Sequence, residues 1–402
     1  TVLEKEPRPL LECLGMVLAD DVTAPLDVPP WDNSAMDGFA VRAEDTQAVE
    51  AMPGHPILLQ VVGEVAAGSF SQTIVKSGQA IRIMTGAPMP PGADAVVQFE
   101  VTDEAQRKTD GRLSHIGILK EASPGLNVRC QGEDIRAGSR VLQEGIELGS
   151  AEIGLLASLG FEMAPVFPRP VVAILATGDE LVALGQPLAP GQIYNSNTYS
   201  LASQVVEAGG VPNILGIARD RATELKDKIK QGLEADLVIT SGGVSQGDYD
   251  LVKEVLAEEG EISFWTVRMK PGKPLAFGYF LKNGRRIPHL GLPGNPVSSM
   301  ITFELFARPL IIKMRGKRTW ARNTVEATME DSLVNRDGRR VYARVRLIRR
   351  GEQYYARLTG EQGSAILTSM VQAQGLAIIP EVVSEVRPGD QVRVMLLTRA
   401  GG

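Results

Sequence analysis

At 402 residues, 44% hydrophobic and 22% charged, the chain is too long for one ordinary core and predicts roughly two to four globular domains. Forty-two basic against 48 acidic residues give a net charge of −6, which argues against a general nucleic-acid binder, and no run of about 18 apolar residues offers a membrane span. Cys13 and Cys130 with His55, His115 and His289 make neither a disulfide framework nor a zinc cluster, so a reducing cytoplasm and a hard, oxygen-ligated ion such as Mg2+ are expected.

Residues 1 to about 30 carry an apolar helical pattern in Leu10, Leu11, Leu14, Val17 and Leu18, and exit through Pro25-Leu26-Asp27-Val28-Pro29-Pro30. From there to about Ser123, short β-like runs at 57–62, 80–84, 95–99 and 113–119 predict a β-rich unit. A helical run at 151–159 precedes Pro165-Val166-Phe167-Pro168-Arg169-Pro170, which reads as a linker.

Beyond that point strands and helices alternate as βαβ crossovers require. Strands are expected at 171–176, 213–218, 237–240, 262–267, 275–279 and 287–292, and helices at 197–208, 223–234, 251–258 and 297–314. The run Val171 to Ala176 is apolar throughout, as in a strand covered on both faces. The remainder reads as all-β. Val341, Ala343, Val345 and Leu347 alternate with Tyr342, Arg344 and Arg346, the period of a half-exposed strand, and further strands follow at 354–358 and 392–397. From Lys313 to Arg357, 13 Lys/Arg stand against 5 Asp/Glu, which we read as a solvated strand face.

Three loop signatures fall where strands of the α/β stretch end: Ala176-Thr177-Gly178-Asp179-Glu180-Leu181, Thr240-Ser241-Gly242-Gly243-Val244-Ser245 and Gly291-Leu292-Pro293-Gly294-Asn295-Pro296-Val297. An open parallel sheet binds ligands at the carboxyl ends of its strands. Arg219-Asp220 ends another strand, and Asp248 and Asp250 follow the serine-glycine turn. Several carboxylates in one crevice repel unless a cation sits among them, although any one of them alone also suits a helix cap. Gly242 and Gly243 let backbone N–H groups approach an anion, and the two prolines of 293–296 stiffen a loop aimed at a helix N-terminus. Lys270 and Lys273, in Met269-Lys270-Pro271-Gly272-Lys273-Pro274, put two cations on a proline-stiffened loop where an oxyanion could be held, with solvated lysines as the competing reading. Asp248-Tyr249 stands where a Walker A motif needs Lys-Ser/Thr, and no G-x-G-x-x-G follows a strand, which excludes a P-loop and a dinucleotide dehydrogenase. In the N-terminal half, the loops 32–42 and 82–90, with Asp37 and Thr85, look too idiosyncratic for scaffolding, although ordinary turns between strands are the alternative, and the run Arg129-Cys130-Gln131-Gly132-Glu133-Asp134-Ile135 adds two more acids.

Taken in order, these runs resemble the molybdopterin molybdenumtransferase family, the last enzymes of molybdenum cofactor assembly, to which the C-terminal domain of gephyrin also belongs. The resemblance implies a multidomain α/β and β fold. Its parts would be a discontinuous N-terminal α+β domain (1–26 and 127–168), a β-rich inserted domain (27–126), a central doubly wound, mostly parallel α/β domain that binds molybdopterin (169–316) and a C-terminal all-β domain (317–402). It implies insertion of molybdate into adenylylated molybdopterin with Mg2+-dependent release of AMP, by a homodimer whose active site the partner subunit completes. By motif, Asp37 and Thr85 match active-site positions contributed across the dimer, and Asp134, Glu180, Asp220 and Asp250 match acidic catalytic positions. Glu180, Asp220 and Asp250 would hold the metal, with Asp250 favoured over Asp248. Ser241, Gly242 and Gly243 match the phosphate-side loop, and Lys270, Lys273, Pro293 and Pro296 the molybdate side. The alternatives are a molybdopterin adenylyltransferase, whose glycines are followed by Thr-Gly rather than Val244-Ser245, and a gephyrin-like scaffold.

Overall fold

The computed structural model describes residues 2–397 apart from 48, 50–54, 108–112, 220, 244–254, 256, 257 and 259. Its contacts divide the chain into two compact units: Asp21–Glu144 with Gly154–Glu162, and Thr1–Asp20 with Gly145–Ile153 and Met163–Gly402. Among the described residues no helix is long and apolar enough to cross a membrane.

The first of these units is built on a five-stranded sheet in the order Ala95–Gln98, Gly38–Val41, Gln79–Ile83, Ile57–Val65, His115–Ile118. Alternate residues of Gly38–Val41 serve two cores: Phe39 and Val41 pack with Leu59, Val97 and Ile116, and Ala40 packs with Ile81, Ile83 and Val96. A Cβ on Gly38 would lie 2.1 Å from the Val97 carbonyl oxygen, so only glycine lets these strands approach.

The helical pattern expected near residue 10 is not a helix. Glu6–Pro9 is a strand paired antiparallel with Met163–Phe167, followed by a single 3-10 turn, Leu10–Cys13. Pro7 and Pro9 hold the chain extended, and Gly15 at φ +72 breaks any continuation. Leu11 and Leu14, counted toward an apolar face, are exposed. The same pairing absorbs the first half of the expected linker at 165–170.

In the second unit a six-stranded sheet carries the α/β pattern: β1 (Val171–Thr177), β2 (Val211–Ala218), β3 (Leu237–Ser241), β4 (Gly260–Thr266), β5 (Pro274–Lys282) and β6 (Arg285–Leu292), in the order β2-β1-β3-β6-β5-β4. The first four in that order run parallel, and β5 and β4 complete the sheet antiparallel to their neighbours. Helix α1 (Ser196–Glu207) leads from β1 to β2, and α2 (Ala222–Gly232) from β2 to β3. They cover opposite faces. Val172 and Ile174 of β1 pack with Leu201 and Val205 of α1, whereas Ala173 and Leu175 pack with Leu225 and Ile229 of α2. Because the chain reverses its winding at β1, right-handed crossovers require this placement. The reversal makes the carboxyl ends of β1 and β3 the topological switch point, where such sheets bind ligands. The expected helix at 251–258 lies almost wholly outside the described residues. The helix expected at 297–314 is helical throughout, but Phe303–Ala307 is a π turn between Pro296–Thr302 and Arg308–Met314. Pro309, which has no N–H to donate, follows it.

His289 in β6 is fully buried, its Nε2 3.1 Å from Thr240 Oγ1 and its ring edge-on to Phe280. Burial alone pushes its pKa down to about 3 from the ordinary 6.5. The unfolded chain therefore takes up a proton that the folded chain refuses until about pH 3, so stability present above pH 6.5 is lost as pH falls through that window. We expect His289→Gln to remove about 2 kcal/mol of the stability lost between pH 7 and pH 5, read from urea midpoints at the two pH values. An unchanged pH dependence in the variant would contradict the assignment.

Residues 324–396 close a barrel from Arg340–Arg350, Gln353–Leu358, Thr324–Met329, Gln391–Leu396 and Gly375–Ile379, which pairs back onto the first. The expected alternation holds for Val341, Ala343 and Val345, which face the barrel core. Arg344, expected on the exposed side, is instead 1% exposed. Its guanidinium donates to the carbonyls of Glu361 (3.2 Å) and Gly363 (3.0 Å) and to Ser369 Oγ (3.0 Å). Burial lowers its pKa to about 10, which leaves it charged at neutral pH. The basic stretch is largely paired: Arg350 and Arg357 with Glu330, Arg322 with Glu304, and Arg340 with Glu381.

Candidate active site

The described parts of the three expected loops meet. Ala176 of β1 pairs with Ser241 of β3, and Ser241 with Leu292 of β6, so the segments that follow leave the sheet side by side. Since β4 runs parallel to β6, the turn from β4 to β5, which carries Lys270 and Lys273, emerges at the same end. Together they line a cleft of about 890 Å3. That lies at the upper end of the range for small-molecule and cofactor sites.

Each wall has a local cause. Gly178, at φ +142, leaves room for the Glu180 carboxylate to fold back: a Cβ there would sit 2.4 Å from Oε2. Gly242, at φ +93, packs against the end of β1, where a Cβ would lie 2.6 Å from the Thr177 carbonyl oxygen. Gly272, at φ +101, seats the lysine loop on the helix that follows β6, at Thr302. Met269–Lys270 extends this anchoring by pairing with Arg340–Val341 of the barrel. The barrel also contributes Gln362, Gly363, Ser364 and Ala365 to the cleft, the loop whose carbonyls Arg344 holds. Ser364 accepts from Val297 N at 3.0 Å, and its hydroxyl accepts from Asn295 Nδ2 at 3.1 Å, so one N–H of the terminus behind Pro293 and Pro296 is already used.

The charges are unequal. Lys270, Lys273 and Arg339 line the cleft against a single described carboxylate, Glu180. Lys270 leans 3.7 Å from Asp337, whose own carboxyl is held below the ordinary range first by its hydrogen bond from Arg339. Lys273 and Glu180 have exposed side chains with no ion-pair partner among the described residues. Thr177 Oγ1 is buried in the same wall without a partner among the described residues. Such a surface attracts an oxyanion.

Asp220, Asp248 and Asp250 lie outside the described residues, and among those described no three His, Cys, Asp or Glu side chains are grouped to hold a metal. In the other unit, Asp37 and Thr85 come together from distant loops: Asp37 Oδ1 accepts from Thr85 N at 2.6 Å and from Thr85 Oγ1 at 2.9 Å. These two bonds, the backbone one first, hold the Asp37 carboxyl below its usual range. Asp134 is exposed in the loop after Arg129, its backbone N–H bonded to Val28 O at 3.0 Å.

Residues 1–160 match the MoeA N-terminal region (domain I and II), 173–313 a probable molybdopterin binding domain and 326–397 the MoeA C-terminal region (domain IV). The molybdopterin molybdenumtransferase 2 of Mycobacterium tuberculosis is 39% identical over 397 residues, 97% of this chain and 94% of that one. The chain belongs to the molybdopterin molybdenumtransferase family. A molybdopterin molybdenumtransferase of a Nostoc species is 40% identical over 389 residues, covering 95% of this chain and 86% of its own. The crystal structure of a MoeA molybdopterin biosynthesis protein from Pyrococcus horikoshii superposes with a TM-score of 0.80 at 35% identity, covering 98% of this chain and 95% of that one.

Asn197, Arg339 and the loop 362–365 escaped the reading of this transferase's sequence. Asn195-Ser196-Asn197 does carry a helix-start signature, and Asn195 caps α1 by accepting from Thr198 N. Nothing local marks Arg339 or the barrel loop, which reach the cleft only because Met269–Lys270 and Arg340–Val341 pair across 71 positions.

Proposed function

We propose that this chain is a molybdopterin molybdenumtransferase that binds adenylylated molybdopterin and molybdate in the cleft and releases AMP as molybdenum enters the dithiolene. The observation that carries this reading is the cleft at the carboxyl ends of β1, β3 and β6, with three cations against one described carboxylate. The glycine turn after Ser241 faces the phosphates, and Lys270 and Lys273 hold molybdate, a tetrahedral dianion, near the sulfurs it joins. Fixing both reactants in one geometry removes much of the entropic barrier to their meeting.

Mg2+ takes oxygen ligands, and the Glu180 carboxylate and Thr177 hydroxyl, neither with a partner among the described residues, fit that preference. We assign its binding to Glu180 with Asp220 and Asp250. When bound, it supplies positive charge to the pyrophosphate link whose cleavage frees AMP. We further propose a cytoplasmic homodimer in which Asp37, Thr85 and Asp134 of the partner subunit complete the site.

The test is nucleotide dependence. Protein given adenylylated molybdopterin, Mg2+ and molybdate should form cofactor without ATP, whereas an adenylyltransferase would consume ATP on molybdopterin. A strict ATP requirement would contradict the proposal. Lys273→Ala should raise the molybdate KM roughly ten-fold, the scale of one charge-assisted contact, and an unchanged KM would remove Lys273 from that role.

A further inference from the structure

We propose that Asn197 is a positioning residue that fixes the Ser241 hydroxyl as a hydrogen-bond donor aimed at an oxyanion in the cleft. The role rests on the proposed function and adds to it a rule for what that part of the cleft accepts. Asn197 stands in the first turn of α1, half-buried, and lines the cleft. Its Nδ2 lies 2.7 Å from the Gly294 carbonyl oxygen and 2.9 Å from Ser241 Oγ.

The chemistry of the partners decides which way the protons point. A carbonyl oxygen only accepts, so the amide atom facing Gly294 must be the NH2 nitrogen. That nitrogen has two protons, one for Gly294 and one for Ser241. Ser241 Oγ therefore accepts from Asn197, and its own proton remains to be given elsewhere. Ser241 is 2% exposed, and no described residue takes that proton.

What it meets must accept. A phosphate or molybdate oxygen does so, whereas an ammonium group, which only donates, leaves that proton unused. Asn197 thereby also ties the loops after β3 and β6, whose close approach is seen in the 3.8 Å between the Gly242 Cα and a Cβ built on Gly294.

The experiment is a double-mutant cycle on the Kd of adenylylated molybdopterin. Asn197→Ala and Ser241→Ala should each weaken binding roughly ten-fold. The double variant should be no more than roughly two-fold weaker than the weaker single, because the first residue acts through the second. Asn197→Asp keeps the shape but offers acceptors to both partners, so it should bind more weakly than Asn197→Ala, and urea midpoints of the two variants report separately on the tie to Gly294. Losses that multiply in the double variant, Asn197→Ala at wild-type affinity, or Asn197→Asp binding better than Asn197→Ala each overturn the role while leaving the proposed function standing. Wild-type protein that fails to take the ligand overturns both.

Discussion

Glu180→Ala is expected to slow AMP release from adenylylated molybdopterin at least about a hundred-fold, about 3 kcal/mol of charge stabilisation lost with the proposed Mg2+ ligand. The urea midpoint should not move, because the Glu180 side chain is exposed and pairs with no cation among the described residues. Glu180→Gln, which keeps the shape and removes the charge, should be as slow. Its carboxylate is the acidic group the described cleft offers, and Gly178 at φ +142 exists to give it room. Near-normal turnover in either variant would remove Glu180 from the site.

Gly242→Ala should affect both stability and binding. The alanine would have to adopt φ +93 with its Cβ 2.6 Å from the Thr177 carbonyl oxygen, a backbone atom at the end of β1 that cannot swing aside. Strain of this kind costs about 1–3 kcal/mol before the clash is added, so we expect a loss of about 3 kcal/mol in urea unfolding. Relief requires β1 and β3 to separate where they line the cleft, so the Kd for adenylylated molybdopterin should rise more than roughly ten-fold. Gly185→Ala is the control: its φ is +81 with nothing within 4 Å of the added carbon, so it should cost about 1 kcal/mol and leave binding unchanged. Equal costs for the two would show that the close approach of the strands carries no energy.

Much of this geometry was legible because it is written locally. Apolar runs that end in glycine, acid or proline gave the positions of β1, β3 and β6, and a parallel sheet necessarily gathers those ends. Where the reading failed, a local pattern was outweighed by distant partners. Leu10, Leu11, Leu14, Val17 and Leu18 have helical spacing, but Pro7 and Pro9 pair the segment with Met163–Phe167 and leave Leu11 in solvent. Alternation places Arg344 on the outside of its strand, and only the fold brings carbonyls from residues 361 and 363 to satisfy its guanidinium. Asn197 is the same case at the site: its partners lie 44 and 97 positions away, and they meet it only because β3 and β6 are neighbours.

The central claim is that oxyanions of both substrates share the cleft at the strand ends, so that nucleotide release and metal insertion are coupled there. Its most direct test is a single turnover of purified protein with adenylylated molybdopterin, Mg2+ and molybdate, following AMP and inserted molybdenum together. The account predicts equimolar AMP and cofactor, with neither formed when molybdate or Mg2+ is withheld. Molybdenum inserted while the nucleotide stays attached would contradict it.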